Sequence, residues 1–110
     1  MPILIFDKKN KISGAVHAGW KGIYNQIILD VVDKMVRAGS KSEDIIAGIG
    51  PCIRVCCYNV EKEREDKFRK KFNHFPVFLN EREDKCFLDL PRIAAEQLKS
   101  RGIPAKNIED

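Results

Sequence analysis

No apolar run in this 110-residue chain approaches the roughly 18 residues a bilayer-spanning helix needs, so a membrane-spanning helix is excluded as a reading. Glycine (7) and proline (5) are scarce, and no linker, low-complexity tract or internal repeat interrupts the chain. Fibrous, repetitive and disordered architectures are therefore set aside. Charge of one sign is missing too. The 20 basic and 16 acidic residues are interleaved, and the net charge of +4 forms no patch that would steer nucleic acid or an anionic membrane. The start, Met1-Pro2-Ile3-Leu4-Ile5-Phe6-Asp7, has neither a basic lead nor a cleavage site and does not read as a signal peptide. Of the four cysteines, Cys56 and Cys57 are adjacent, an awkward beginning for a disulfide framework, so a reducing, cytoplasmic setting is expected.

What is present is the makeup of one globular domain, 44% hydrophobic and 33% charged. Residues Pro2 to Phe6 and Ile12 to Ala18 read as two strands of a hairpin around the polar stretch Asp7 to Lys11. Beyond Gly22 the period lengthens. Ile23, Ile27, Val31 and Met35 recur every fourth residue, flanked by Ile28, Val32 and Val36, which predicts one amphipathic helix that Gly39 ends. Ser42-Glu43-Asp44 leads into an interior strand, Ile45 to Ile49, halted by Gly50-Pro51. The charged stretch Glu61 to Lys71 reads as a helix resting on a narrow stripe of Val60, Phe68 and Phe72. Phe75 to Leu79 and Cys86 to Leu88 read as short strands around a charged loop, Glu81 to Lys85. Asp89 caps a last helix that tolerates Pro91 in its first turn and ends at Gly102, and a further strand begins at Ile108.

Two clusters could carry chemistry. In His17-Ala18-Gly19-Trp20-Lys21-Gly22 an imidazole closes a strand, and two glycines flank an indole and a cation where a helix begins. Such a strand–loop–helix junction can let backbone approach a ligand, and free helix-start amides suit an anion such as phosphate. Residue types alone also allow the opposite reading, with His17 a core histidine, Trp20 a core filler and Lys21 a solvated cation. The second cluster is Gly48-Ile49-Gly50-Pro51-Cys52-Ile53, followed by Cys56-Cys57-Tyr58-Asn59-Val60. Cys52, after a strand-ending Gly-Pro, is placed to face a cleft as a nucleophile or ligand, or to pack as a small apolar thiol; Cys56 and Cys57 are expected to be small buried thiols. The cysteine spacings do not match a four-cysteine zinc knot. His74 belongs to no motif and reads as a surface residue.

The order of these motifs, His17-Ala18-Gly19-Trp20-Lys21-Gly22, a helix ending at Gly39, Ile49-Gly50-Pro51-Cys52-Ile53 and Cys57-Tyr58-Asn59-Val60, resembles the YfiH-like family, also called the multicopper polyphenol oxidase or laccase-domain family. The likeness runs over nearly the whole chain, residues 1–110 forming a single partial domain that matches the central part of the family's own. It implies an α/β (α+β) fold, a mixed β-sandwich flanked by helices like that of the cytotoxic necrotizing factor catalytic domain, truncated at both ends. It also implies zinc held by two histidines and a cysteine, with copper claimed for some members. The implied activity is of the purine nucleoside phosphorylase type, with adenosine deamination and methylthioadenosine cleavage, so the implied partners are a purine nucleoside and phosphate.

On that resemblance His17 matches one zinc-ligating histidine, and the other two ligands belong to segments preceding Met1. Gly19, Trp20, Lys21 and Gly22 are the substrate-binding candidates, with Lys21 and the helix-start amides on the phosphate; from its residue context, not from the resemblance, Cys52 is the catalytic candidate. Two competing readings stand beside this one: a cysteine-dependent hydrolase using Cys52 with His17, and a non-catalytic fragment or interaction module that self-associates through exposed edges.

Overall fold

A computed structural model describes residues 1–73 and 79–110, with backbone alone for 79–81. In chain order the elements are β1 (Pro2–Asp7), β2 (Ile12–His17), α1 (Trp20–Tyr24), α2 (Ile27–Arg37), β3 (Ile45–Ile49), β4 (Asn59–Val60), α3 (Lys62–Lys71), β5 (Leu79–Arg82), β6 (Lys85–Leu88), α4 (Leu90–Ser100) and β7 (Ile108–Glu109). They build two sheets, one of four strands in the order β2-β1-β3-β7 and one of three in the order β4-β6-β5.

The expected hairpin is present, with β1 and β2 antiparallel from Pro2 opposite His17 to Asp7 opposite Ile12. Its turn is organised by a buried carboxylate. Asp7 accepts from the backbone N–H groups of Lys9 (2.9 Å) and Asn10 (3.3 Å) and from the Asn10 side-chain amide (2.9 Å), which also donates to the carbonyl of Gly39 at 3.1 Å. A short polar side chain thus bends the chain and ties the turn to the end of α2. On the other side of β1 runs β3, antiparallel, with Ile3 opposite Ile49, and β7 joins β3 in parallel.

The apolar period beyond Gly22 is real, but it is shared between two helices rather than one. Gln26 adopts a left-handed conformation (φ 58°) and separates α1 from α2. The break is compatible with close packing because Gly22 lacks a side chain: a Cβ there would lie 3.2 Å from Cγ2 of Ile27. Ile23 and Ile28 are both fully buried as a result. Helix α2 ends as expected, with Gly39 left-handed (φ 113°) and the N–H of Ser40 returning to the carbonyl of Met35 at 3.0 Å.

Val60, Phe68 and Phe72 form the buried stripe foreseen for the charged helix α3, and Phe68 meets Tyr24 of α1 at a ring separation of 5.6 Å. Asp89 caps α4 by accepting from the N–H of Arg92 (3.2 Å), with Pro91 in the first turn. The strand expected at Phe75 to Leu79 falls largely outside the described residues, and β5 instead occupies Leu79–Arg82. The expected charged loop shrinks to Glu83-Asp84, both at positive φ, which suits the tight two-residue turn joining Arg82 to its partner Lys85.

Helices α2 and α4 pack together, and α2 lies against β2, where a Cβ on Gly14 would meet Cγ1 of Val31 at 3.1 Å. The inward residues of the four-stranded sheet, Ile3, Ile5, Ile45, Ala47 and Ile49, form the core with these helices. The strand expected to be interior is so on one face only: Ile46 is 38% exposed, and its outward neighbour Leu4 is 65% exposed. No helix among the described residues is long and apolar enough to cross a membrane.

Candidate functional site

The chemistry-bearing motifs meet where β1 begins, because β1 is the strand between β2 and β3. Pro2 lies opposite His17 on one side, and on the other its carbonyl accepts from the N–H of Gly50 at 2.8 Å. Gly50 is required by this close approach, since a Cβ there would come within 2.7 Å of the Pro2 ring. Two interstrand steps of about 4.8 Å put the backbones of His17 and Gly50 roughly 10 Å apart across β1. A groove of about 430 Å³ runs along Pro2, Leu4, Gly48, Gly50 and Pro51 on the outward face.

His17 is exposed, on the outward-facing side of β2 with Ser13 and Ala15. The core-histidine reading is thereby overturned, because the alternation of β2 turns Val16 inward and His17 out. Its Nε2 would lie 3.7 Å from a Cβ on Gly19, an ordinary contact that places the imidazole beside the start of α1. Ala18 is wholly buried and donates its N–H to the carbonyl of Met1 (2.8 Å), pinning the junction between β2 and α1.

Trp20 opens α1, half-buried against the core rather than filling it. The guanidinium of Arg64 lies 4.1 Å from the centre of its ring and the ammonium of Lys21 5.6 Å, both within cation–π range. Arg64 also donates to the Tyr58 hydroxyl (3.4 Å) and pairs with Glu61 (3.2 Å). One arginine of α3 thus joins the start of α1 to the Tyr58–Val60 segment. The sequence reading missed Arg64, which lies in an almost wholly charged stretch with no local pattern to single it out.

Cys52 is half-buried in the loop after β3, and no hydrogen bond joins it to His17. His17 ends β2 and Cys52 follows β3, the two strands that flank β1. Cys56 and Cys57 are exposed, against the expectation of buried thiols, because the loop that carries them lies outside the core. His74 lies outside the described residues. Among the described residues no three His, Cys, Asp or Glu side chains gather to hold a metal. Among the described residues, then, His17 offers one exposed nitrogen donor towards a zinc shell, where a catalytic zinc needs about three protein ligands.

Comparison with known proteins agrees with the order of the motifs. The model of the family described as multi-copper polyphenol oxidoreductase laccase matches residues 1–110. The chain belongs to this laccase-domain family. It is 37% identical to a purine nucleoside phosphorylase of Rickettsia conorii, over 100% of this chain and 46% of that protein. It is 34% identical to a protein named adenosine deaminase from an unknown prokaryotic organism, over 98% of this chain and 42% of the relative. Its fold matches the crystal structure of the Bacillus licheniformis hypothetical protein YfiH with a TM-score of 0.84 at 35% identity, covering 98% of this chain and 42% of that one. The mixed α+β architecture of the laccase-domain family is therefore shared, and the chain spans less than half the length of the curated relatives it matches.

Proposed function

We propose that this laccase-domain chain supplies part of a purine nucleoside phosphorylase-type site, acting on adenosine or inosine, with adenosine deamination and methylthioadenosine cleavage as related activities. The observation that carries this reading is the exposed His17 beside Gly19 and the start of α1, in a chain whose relatives are named purine nucleoside phosphorylases. His17 is assigned as one zinc ligand, with the remaining donors outside this chain. A single imidazole does not close a zinc shell, so the chain alone binds the metal weakly and turns over little.

Phosphorolysis needs phosphate to reach the sugar carbon while the bond to the purine breaks and that carbon gains positive charge. A cation must hold the phosphate without occupying the sugar's place. α1 has only five residues, too few for a strong aligned dipole, so the side-chain charge of Lys21 is the stronger anchor. Lys21 is exposed and adjoins Trp20, which Arg64 fixes in place.

Two measurements test the proposal. After dialysis, metal analysis of the chain is expected to find far less than one zinc per molecule, and one tightly held zinc would show that other residues complete the shell. Replacing the lysine at the Lys21 position of a full-length relative is expected to raise the phosphate concentration needed for half-maximal purine release. Unchanged phosphate dependence removes Lys21 from the site. Release of base from adenosine and inosine separates this reading from a non-catalytic module.

A further inference from the structure

The loop between β3 and β4 holds a pair of groups that the nucleoside chemistry does not use. Cys56 and Cys57 are both exposed, and their sulfurs lie 3.1 Å apart in mutual hydrogen-bond contact. Their loop is tied down from two directions. The N–H groups of Cys57 and Tyr58 both donate to the carbonyl of Arg54, at 2.9 and 3.0 Å, closing a turn around the pair. From the second sheet, Arg82 donates to the carbonyl of Cys56 at 2.9 Å while stacking on Phe87 at 4.3 Å. Two thiols are thus held side by side, open to solvent and next to a fixed cation.

We propose that Cys56 and Cys57 form a chelating site for a soft, trivalent, thiophilic species of the trivalent arsenical class. The geometry favours a bridging atom over a disulfide. Adjacent Cα atoms across a trans peptide are about 3.8 Å apart, below the roughly 4.4 Å at which disulfide-linked pairs begin. A direct bond would also draw the sulfurs in to about 2.05 Å and distort the turn on Arg54. An atom bonded to both sulfurs lets them keep a wider separation, near the one already present.

The exchange balances without an oxidant. An organoarsenic dihydroxide loses its two hydroxyls, the two S–H bonds break, two S–As bonds form, and two water molecules leave with the thiol protons. Arsenic stays trivalent and both sulfurs stay at the thiol oxidation level. The contact with Cys56 holds the Cys57 thiol above its ordinary pKa, while the Arg82 cation pulls it the other way. The pair therefore presents protons for that water at neutral pH. Cys86 is buried, and Cys52 is half-buried at the other end of the loop, so neither competes for this chelate.

The test is intact-mass analysis of the 110-residue chain after treatment with phenylarsine oxide. One adduct per chain is expected, resistant to excess glutathione and removed by a dithiol such as 2,3-dimercaptopropanol. Cys56→Ser and Cys57→Ser are each expected to lose it, and Cys52→Ser to keep it. Both side chains of the pair are exposed, and circular dichroism of each variant confirms the fold on which the comparison depends. An adduct that persists in Cys56→Ser or Cys57→Ser, disappears in Cys52→Ser, or is stripped by glutathione overturns the proposal. So does quantitative closure of a Cys56–Cys57 disulfide by diamide, which would make the pair a redox element instead.

Discussion

Along β1 the side chains alternate between two environments of different character. Ile3, Ile5 and Asp7 turn towards the helices and are buried, whereas Pro2, Leu4 and Phe6 turn the other way, with Leu4 65% exposed although it is as apolar as its neighbours. The same contrast continues into β3, where Ile45, Ala47 and Ile49 are buried and Ile46 is 38% exposed. Side-chain type does not separate the two faces, because isoleucine occurs on both and leucine is no less apolar. What separates them is the layer of α2 and α4, which lies on one face alone. The candidate chemistry follows the same division: His17 and the groove beside Pro2 are on the outward face, and the core is on the inward one.

The sharpest way to break this comparison is to remove the same hydrocarbon from each face. Ile5→Ala deletes a side chain that is 1% exposed and leaves a cavity against the helices, which is expected to cost about 2–5 kcal/mol. Leu4→Ala, one residue away, is expected to change stability by no more than about 0.5 kcal/mol, since its side chain is already largely in water. Urea unfolding of the two variants reads the difference directly. Equal losses would mean that the outward face is covered in solution.

A subtler asymmetry sits at the end of the same strand, where the inward position is a carboxylate. The Ser40 hydroxyl, then the Asn10 amide and the N–H groups of Asn10 and Lys9, outweigh the cost of burial and hold the Asp7 carboxyl down at about 2, from an ordinary 3.8. A depressed carboxyl stabilises the fold above the unfolded-state value and stops doing so as pH falls through the folded one. Asp7→Asn is therefore expected to lower the urea midpoint by a constant amount above about pH 5. That difference should shrink between pH 3.8 and about 2, where the wild-type carboxyl also becomes neutral. A gap that stays level down to pH 2 would show that the turn depends on shape alone.

Much of this arrangement was legible from residue order, and the places where it was not share a cause. The hairpin, β3, the α3 stripe of Val60, Phe68 and Phe72, and the Asp89 cap follow from period and turn chemistry, which act over a few residues. The apolar period from Ile23 to Met35 could not reveal the break at Gln26, because both helices keep the same inward stripe and the break depends on Gly22 meeting Ile27. Exposure of Cys56, Cys57 and Leu4 was equally hidden, since it depends on which layers the chain supplies. In the site, motif order brought His17 and Cys52 to attention, but only the strand order shows that β1 lies between the strand ending at His17 and the strand preceding Cys52. Arg64 had no signal at all, its role arising from a contact between α3 and Trp20, 44 positions earlier in the chain.

The smallest effect is expected at the residue of greatest functional interest. His17 is exposed at the end of β2 and makes no side-chain hydrogen bond in the described structure, so His17→Ala is expected to shift stability by no more than about 0.5 kcal/mol. On the zinc assignment proposed above, the matching replacement in a full-length relative is expected to lower bound zinc below one per molecule, because it removes one of the three proposed ligands. This pairing separates a ligand from a structural residue. A ligand leaves the short chain's fold intact and the full-length protein's metal depleted, whereas a structural histidine reverses both outcomes. Loss of several kcal/mol in the short chain would place His17 among the residues that hold the inward face together, and the functional assignment of the outward face would then lose its anchor.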